Sequence, residues 1–372
     1  MPRLPVALAL IAGLLRLGFG PPAVVDVGEQ QVPLYPSQIT AVARLRPPEV
    51  SAEAWALVDG ASGRMVAGQN AHEPLAPAST TKIATALVAL ENGRLEDRVP
   101  IYRESIQNLD PDSSVMGLVP GEELSLRDLL YGLMLPSGND AAVVIARHVG
   151  GSEQRFVQMM NAKVAALGLR NTHFANPHGL DADDHHSSAY DLAALARYAM
   201  ANPDFATIVS TRQYEAQGRQ KAYQLRNGNP LLGRYDGADG VKTGYTEEAG
   251  QTYVGSATRN GHRVFVALLQ SRDRVGDSLA LLDYFFANYG WRTLDLPPTA
   301  LNGVGAADGR GRRLQTRPAQ EACLPAWQLP LLRWTIWLDG APADPADANP
   351  RLGLASFYIG TQLLAELPVH GR

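Results

Sequence analysis

Pro77-Ala78-Ser79-Thr80-Thr81-Lys82 runs directly into the apolar helical pattern of Ile83, Leu87 and Leu90. Taken alone, the hexapeptide is a serine-capped helix start with a surface lysine, since serine is among the commonest N-caps. It also fits an activated nucleophile, because a lysine three residues on lies on the same helical face as the serine. Two fixed positions define little by themselves, so the second reading needs partners elsewhere in the chain.

Two further short boxes supply them. Ser137-Gly138-Asn139 lies 58 residues beyond Ser79, and Lys242-Thr243-Gly244 lies 163 residues beyond it. Each has a plain reading of its own: Ser, Gly and Asn form turns, and Lys-Thr-Gly suits an edge strand with a glycine. Lysine usage points the other way. Of the 33 basic residues only Lys82, Lys163, Lys221 and Lys242 are lysine. Arginine stays charged, whereas a buried lysine beside another cation can lose its proton, so a lysine-poor chain keeps lysine where protons move. Lys82 and Lys242 fall in the boxes; Lys163 and Lys221 read as chance retention.

The 372 residues, 45% hydrophobic and 19% charged, give room for two domains and a sizeable core. A formal charge of −4 with no basic run leaves no electrostatic footprint for nucleic acid. The lone Cys323 excludes an intrachain disulfide framework and a thiolate metal cluster.

The N-terminus carries Met1-Pro2-Arg3, an apolar stretch from Leu4 to Leu15, and small residues and prolines from Gly18 to Pro22. That is the pattern of a secretory signal, residues 1–23, with an uncleaved anchor as the alternative; Arg16 closes the apolar run too early for a spanning helix. Residues 24–48 are polar and aperiodic and read as a leader or linker. The fold starts near Val50. Ala54 to Val58 and Met65 to Ala67 flank a hairpin turn, and the helix from Ser79 stops at Asn92-Gly93. Ser125 is expected to cap a short helix that Pro136 breaks; Asp140 caps the next, to Val149, and Ser152 the one after. From Asp239 the period changes to two, over Gly240 to Tyr245, Gln251 to Thr258 and His262 to Leu269, which predicts an antiparallel sheet. A last helix, Asp277 to Asn288, ends at Gly290. Residues 291–372 read as a small β-rich C-terminal domain, with strands near Trp334 to Leu338, Ala355 to Ile359 and Leu363 to Leu367, and a loop from Ala341 to Pro350.

The three boxes in this order resemble those of the penicillin-recognising serine peptidases and β-lactamases. Gly138 in the middle box, Asn139-Asp140-Ala141-Ala142, Asn176-Pro177-His178-Gly179-Leu180-Asp181, Ser187-Ser188-Ala189-Tyr190-Asp191-Leu192 and Asp239-Gly240-Val241-Lys242-Thr243-Gly244-Tyr245-Thr246 resemble one branch, the D-alanyl-D-alanine carboxypeptidases. The resemblance implies an α+β, β-lactamase/transpeptidase-like fold over residues 49–290: an antiparallel sheet flanked by helices, plus a helical subdomain. It implies no cofactor and no metal. The implied partners are peptidoglycan stem peptides ending in D-Ala-D-Ala and, as inhibitors, β-lactam antibiotics, in an exported, periplasmic or cell-envelope setting.

The implied site is Ser79 as nucleophile at a helix N-terminus, with Lys82 as base, made neutral part of the time by burial and by Lys242. Ser137 bridges Lys82 and the leaving nitrogen, and Asn139 fixes Lys82 while donating to the substrate amide. Lys242 and Thr243 hold substrate and Gly244 keeps the strand surface open, although alternation puts Thr243 opposite the other two. The backbone N–H groups of Ser79 and Tyr245 form the oxyanion hole. Arg274, supported by Arg226, grips a terminal carboxylate. A triad of Ser79, His178 and Asp181 is rejected because a lysine base is present, and the His178 to Asp181 run is expected to shape the site floor. Asp183, Asp184, His185 and His186 are read as a solvated turn, because four consecutive residues do not surround one ion. A D,D-endopeptidase is the nearest alternative activity. A β-lactamase is disfavoured by the lack of a Glu-x-x-Leu-Asn type box between Asn139 and Lys242, and a non-catalytic cell-wall-binding protein by the three intact boxes. The tryptophans between Leu324 and Trp337 suit peripheral membrane contact, without a closing amphipathic helix to anchor it.

Overall fold

The computed structural model describes residues 24–27, 30–33, 46–107, 113–296, 303–305, 311–338 and 351–371. The signal segment and the loop expected at Ala341 to Pro350 lie outside the described residues. The chain forms two compact units, one of residues 46–292 with 321–324, the other of 1–45, 293–320 and 325–372. The first unit thus runs two residues past Gly290 and takes back a short segment from further along.

The larger unit is built on a five-stranded antiparallel sheet in the order Met65–Gln69, Ala54–Asp59, His262–Ser271, Gly250–Arg259, Ala238–Thr246. Alternation along these strands divides the apolar residues cleanly between two faces. Ala54, Ala56, Val58, Phe265, Ala267 and Leu269 face a helical layer, while Trp55, Leu57, Val264, Val266 and Leu268 face Leu281, Leu282 and Phe285 of the helix Arg274–Asn288. The hairpin at Asn260-Gly261 closes with both residues at positive φ, 51° and 81°, as this tight turn requires. Lys242-Thr243-Gly244 therefore lies on an edge strand with one side unpaired.

The helical layer surrounds Lys82–Asn92, whose residues from Lys82 to Ala89 are all buried. Ser79 does not cap this helix: it sits inside a 3-10 turn, Ala78–Thr81, that leads into it, and Pro77 at the N-cap position makes no side-chain cap. Ser125 caps Leu126–Met134 as expected, in a reciprocal box with Asp128. Asp140 is not a cap. Gly138 holds that position before Asn139–Gly150, and the Asp140 carboxylate instead accepts the N–H groups of Met116, Gly117, Leu118 and Ala141, each at 2.9 Å. One buried carboxylate thus folds the 116–118 loop over the start of the helix that carries Asn139.

The helix Arg274–Asn288 passes straight into the strand Tyr289–Leu294, so Gly290 is a strand residue and not a helix stop. In the smaller unit five antiparallel strands stand in the order Gly303–Gly305, Gly311–Thr316, Gln362–Gly371, Arg351–Ile359, Leu332–Leu338. Val24–Val27 and Gln30–Pro33 pair as a hairpin within the stretch read as aperiodic linker. Four valines in these two short runs supply the β-branched character that its overall polarity obscured.

Asp140→Ala is expected to destabilise the chain by about 3 kcal/mol or more, because it strands buried loop N–H groups without acceptors. Denaturant unfolding of the variant beside the wild type measures this.

Candidate active site

The turn that carries Ser79 is held from three directions. Pro77 O accepts the hydroxyls of Thr80 (2.6 Å) and Thr252 (3.0 Å), which ties the turn to the sheet. Gly244 lets the edge strand come close: a Cβ there would lie 2.9 Å from Ser79 N and collide with Thr252 Oγ1. Gly179, at φ +91°, meets the turn from the other side, and a Cβ on it would run into Ala78 O. Ala78 itself is at φ +48°, a conformation that costs about 1–3 kcal/mol for a non-glycine residue and turns the chain so that Ser79 leads the helix.

Lys82 is fully buried and its Nζ meets three oxygens: Ser79 Oγ at 2.9 Å, Asn139 Oδ1 at 2.6 Å and His178 O at 2.6 Å. Its pKa is lowered well below the ordinary lysine value, first by burial and second by the charge of Lys242, while Asp140 opposes the shift. Burial, more than the neighbouring cation, makes this amine available as a base. Lys242 is also buried, donates to Thr243 O at 2.8 Å, and is lowered to about 7 by burial and by Arg274. Arg274 Nη1 donates to Gly244 O at 2.7 Å. Arg274 thus acts on Lys242, and Lys242 on Lys82.

Ser137 is at φ +67°, and its Oγ is buried without a hydrogen-bond partner. The bridge from Ser137 to Lys82 expected from the sequence is therefore not formed, because the three contacts of Lys82 are taken up elsewhere. Asn139 does fix Lys82. Gly138 is glycine for a local reason: a Cβ would stand 2.8 Å from both Gly132 O and Asp140 Oδ1, and 3.0 Å from Met116 N. Thr243 is half-buried, with its Oγ1 3.9 Å from where a Cβ on Gly228 would stand. Tyr245 is 62% exposed. Arg226 ends the strand Ala222–Arg226, exposed, and makes no hydrogen bond with the lysine cluster.

Sequence reasoning missed the contact of the His178 carbonyl with Lys82 and the burial of His185. His178 contributes its backbone carbonyl, while its ring Nδ1 accepts the Leu180 N–H at 3.2 Å and burial lowers it to about 3, which keeps it neutral. Asp181 accepts from Thr246 Oγ1 at 2.8 Å and so fastens the floor to the edge strand. His185 is buried, not solvated: its Nδ1 accepts the Ala175 N–H at 2.9 Å, so Nε2 donates to Thr81 Oγ1 at 2.8 Å. Burial lowers it to about 4. Asp184 lies between His173 and His186, at 3.2 and 3.3 Å. Among the described residues no group of three or more potential ligands is arranged for a metal ion.

A nucleophile, a buried amine in contact with it and a glycine-lined edge strand make up an acyl-transfer site. Gly179→Ala is expected to lower acylation of Ser79 by a penicillin probe about a hundredfold while the circular dichroism spectrum is retained, because the added Cβ displaces the serine turn.

Comparison with known proteins agrees with this chemistry. A profile of the D-alanyl-D-alanine carboxypeptidase family matches residues 41–273. D-alanyl-D-alanine carboxypeptidase DacD of Escherichia coli is 32% identical over 342 residues, 87% of this chain and 87% of that protein. DacF of Bacillus subtilis is 37% identical over 242 residues, 63% of this chain and 61% of DacF, so that match spans less than two thirds of the relative's length. The crystal structure of penicillin binding protein 5 from Haemophilus influenzae superposes with a TM-score of 0.72 at 28% identity, over 87% of this chain and 97% of the other. Family profile, full-length similarity and shared fold coincide on the segment that brings Ser79, Lys82, Asn139 and Lys242 together, and the chain belongs to the serine-type D-alanyl-D-alanine carboxypeptidase family.

Proposed function

We propose that this chain removes the terminal D-alanine from peptidoglycan pentapeptides through an acyl-enzyme on Ser79, and that β-lactams acylate the same serine. The observation that carries the proposal is the 2.9 Å contact between Lys82 Nζ and Ser79 Oγ at a fully buried lysine. Neutral Lys82 takes the Ser79 proton as Oγ attacks the penultimate D-alanine carbonyl. The N–H groups of Ser79 and Tyr245 receive the oxyanion. Lys82 returns that proton to the leaving nitrogen through Ser137, whose Oγ, without a protein partner, is taken up once substrate fills the cleft. Lys242, Thr243 and Arg274 hold the terminal carboxylate, and Asn139 orients Lys82 and the substrate amide. Water then releases the acyl group, with Lys82 again as base.

The N-terminal signal pattern supports export to the periplasm or cell envelope. Among the described residues no helix is long and apolar enough to cross a membrane. Trp334 and Trp337, exposed on the strand Leu332–Leu338, support peripheral membrane contact; Trp327 is buried and takes no part in it.

Ser79→Ala is expected to abolish both D-alanine release and penicillin labelling. Mass spectrometry of products from a muropeptide pentapeptide and a crosslinked dimer is expected to show cleavage of the pentapeptide; cleavage of the dimer alone would make the chain an endopeptidase. The pH profile of kcat/KM is expected to be bell-shaped. It rises as Lys82 loses its proton and falls above about 7 as Lys242 loses its charge, the two titrating as a coupled pair. In Lys242→Ala the cation that depresses Lys82 is gone, so the acid limb of penicillin acylation moves to higher pH.

A further inference from the structure

Beside the catalytic cleft, a cavity of about 400 Å³ is walled by Arg212, Arg226, Arg234, Gly228 and Asn229, with no carboxylate in its lining. Among the described residues none of the three guanidinium groups has an acidic side chain within ion-pair distance. The three side chains are exposed, and together they set up a positive potential over the hollow that attracts an anion. One wall residue carries a buried amide with an unpaired donor. Asn229 is 7% exposed; its Oδ1 accepts both the Leu231 N–H (3.0 Å) and the Tyr253 hydroxyl (3.0 Å), and its Nδ2 is left with no acceptor. A buried amide hydrogen without a partner is uncommon in a native fold and calls for an acceptor from outside.

The framework is set before any ligand arrives. Asn227 Nδ2 donates to Val209 O and Thr211 O, and its Oδ1 accepts the Asn229 N–H, which fixes the loop. The Arg212 guanidinium rests against Gly233, where even a Cβ would come within 3.1 Å of it. Gly228 belongs to the wall of this cavity and also faces Thr243 of the substrate strand, so the hollow adjoins the cleft through a residue with no side chain.

We propose that this cavity is an oxyanion subsite that takes a second carboxylate of the peptide substrate, distinct from the one held by Lys242, Thr243 and Arg274. The assignment of that carboxylate rests on the carboxypeptidase reading above; the anion chemistry of the pocket does not. Recognition is bidentate guanidinium to carboxylate.

The test uses two pentapeptides that differ only in whether a carboxylate remote from the terminal D-alanine is free or amidated, on the full chain and on its Arg212→Gln/Arg234→Gln variant. The expected result is a KM for the free acid raised about fivefold in the variant, the amidated peptide and penicillin acylation unchanged, and inorganic phosphate competing with the acid peptide in the wild type only. An equal effect on both peptides, or none on either, overturns the subsite. If phosphate binds but the two peptides behave alike, the proposed substrate carboxylate is wrong. If the wild type cuts neither peptide, the carboxypeptidase reading has failed, and calorimetric titration with succinate decides the pocket: binding lost in the variant upholds an oxyanion site, and absence of binding in the wild type removes it.

Discussion

The structure depends on the removal of one amine from water. Lys82 lies inside the protein with its nitrogen against three oxygens from three separate segments: the serine turn, the start of the Asn139 helix and the His178 loop. A charged ammonium would satisfy all three with its three hydrogens. A neutral amine fits the same geometry, with two hydrogens on Asn139 Oδ1 and His178 O and its lone pair left for the Ser79 hydroxyl. Proton transfer between Lys82 and Ser79 therefore needs no movement of the lysine. The two stronger acceptors hold the nitrogen in place while the third relation reverses, which is preorganisation in a water-poor setting.

That arrangement explains why the helical layer and the sheet meet where they do. The serine turn has to touch the edge strand, because Lys242, whose charge helps to lower Lys82, comes from that side. The turn reaches the strand at Gly244, and the Thr252 hydroxyl on Pro77 O ties it to the same sheet. His185 and Asp181 then bind the floor to Thr81 and Thr246, so that turn, strand and floor are mutually fastened by short side chains. Flexible side chains at these contacts would have to lose rotamer freedom to hold the same distances.

The main sheet, the caps at Ser125 and Ser152 and the cluster of Ser79, Lys82, Asn139 and Lys242 were legible because each leaves a trace in residue type. Period-two alternation marks the strands, Ser125 and Ser152 mark helix starts, and scarce lysines mark the amines. The parts that were not legible are those made by backbone atoms or by burial. Nothing in the letters of His178 reveals that its carbonyl matters, since any residue carries one. Asp140 looks like a cap because caps and loop anchors use the same carboxylate. His185 looks solvated because its neighbours Asp184 and His186 are, and only the fold sets it against Thr81. Ser137 is placed at the site, yet its missing partner is a matter of ångströms that spacing cannot encode.

The glycine walls of the cleft also restrict how this protein can adapt. Where a boundary is made of Gly138, Gly179 and Gly244, there is no side chain to trim or exchange, and any added atom strikes backbone or a buried hydroxyl. Any larger residue on those sides displaces the serine turn or the loop beside Asn139. The open flank remains, where Tyr245 projects into solvent and Arg226 ends its strand. Change at the site is thereby confined to that flank, where an added side chain meets solvent instead of packed backbone.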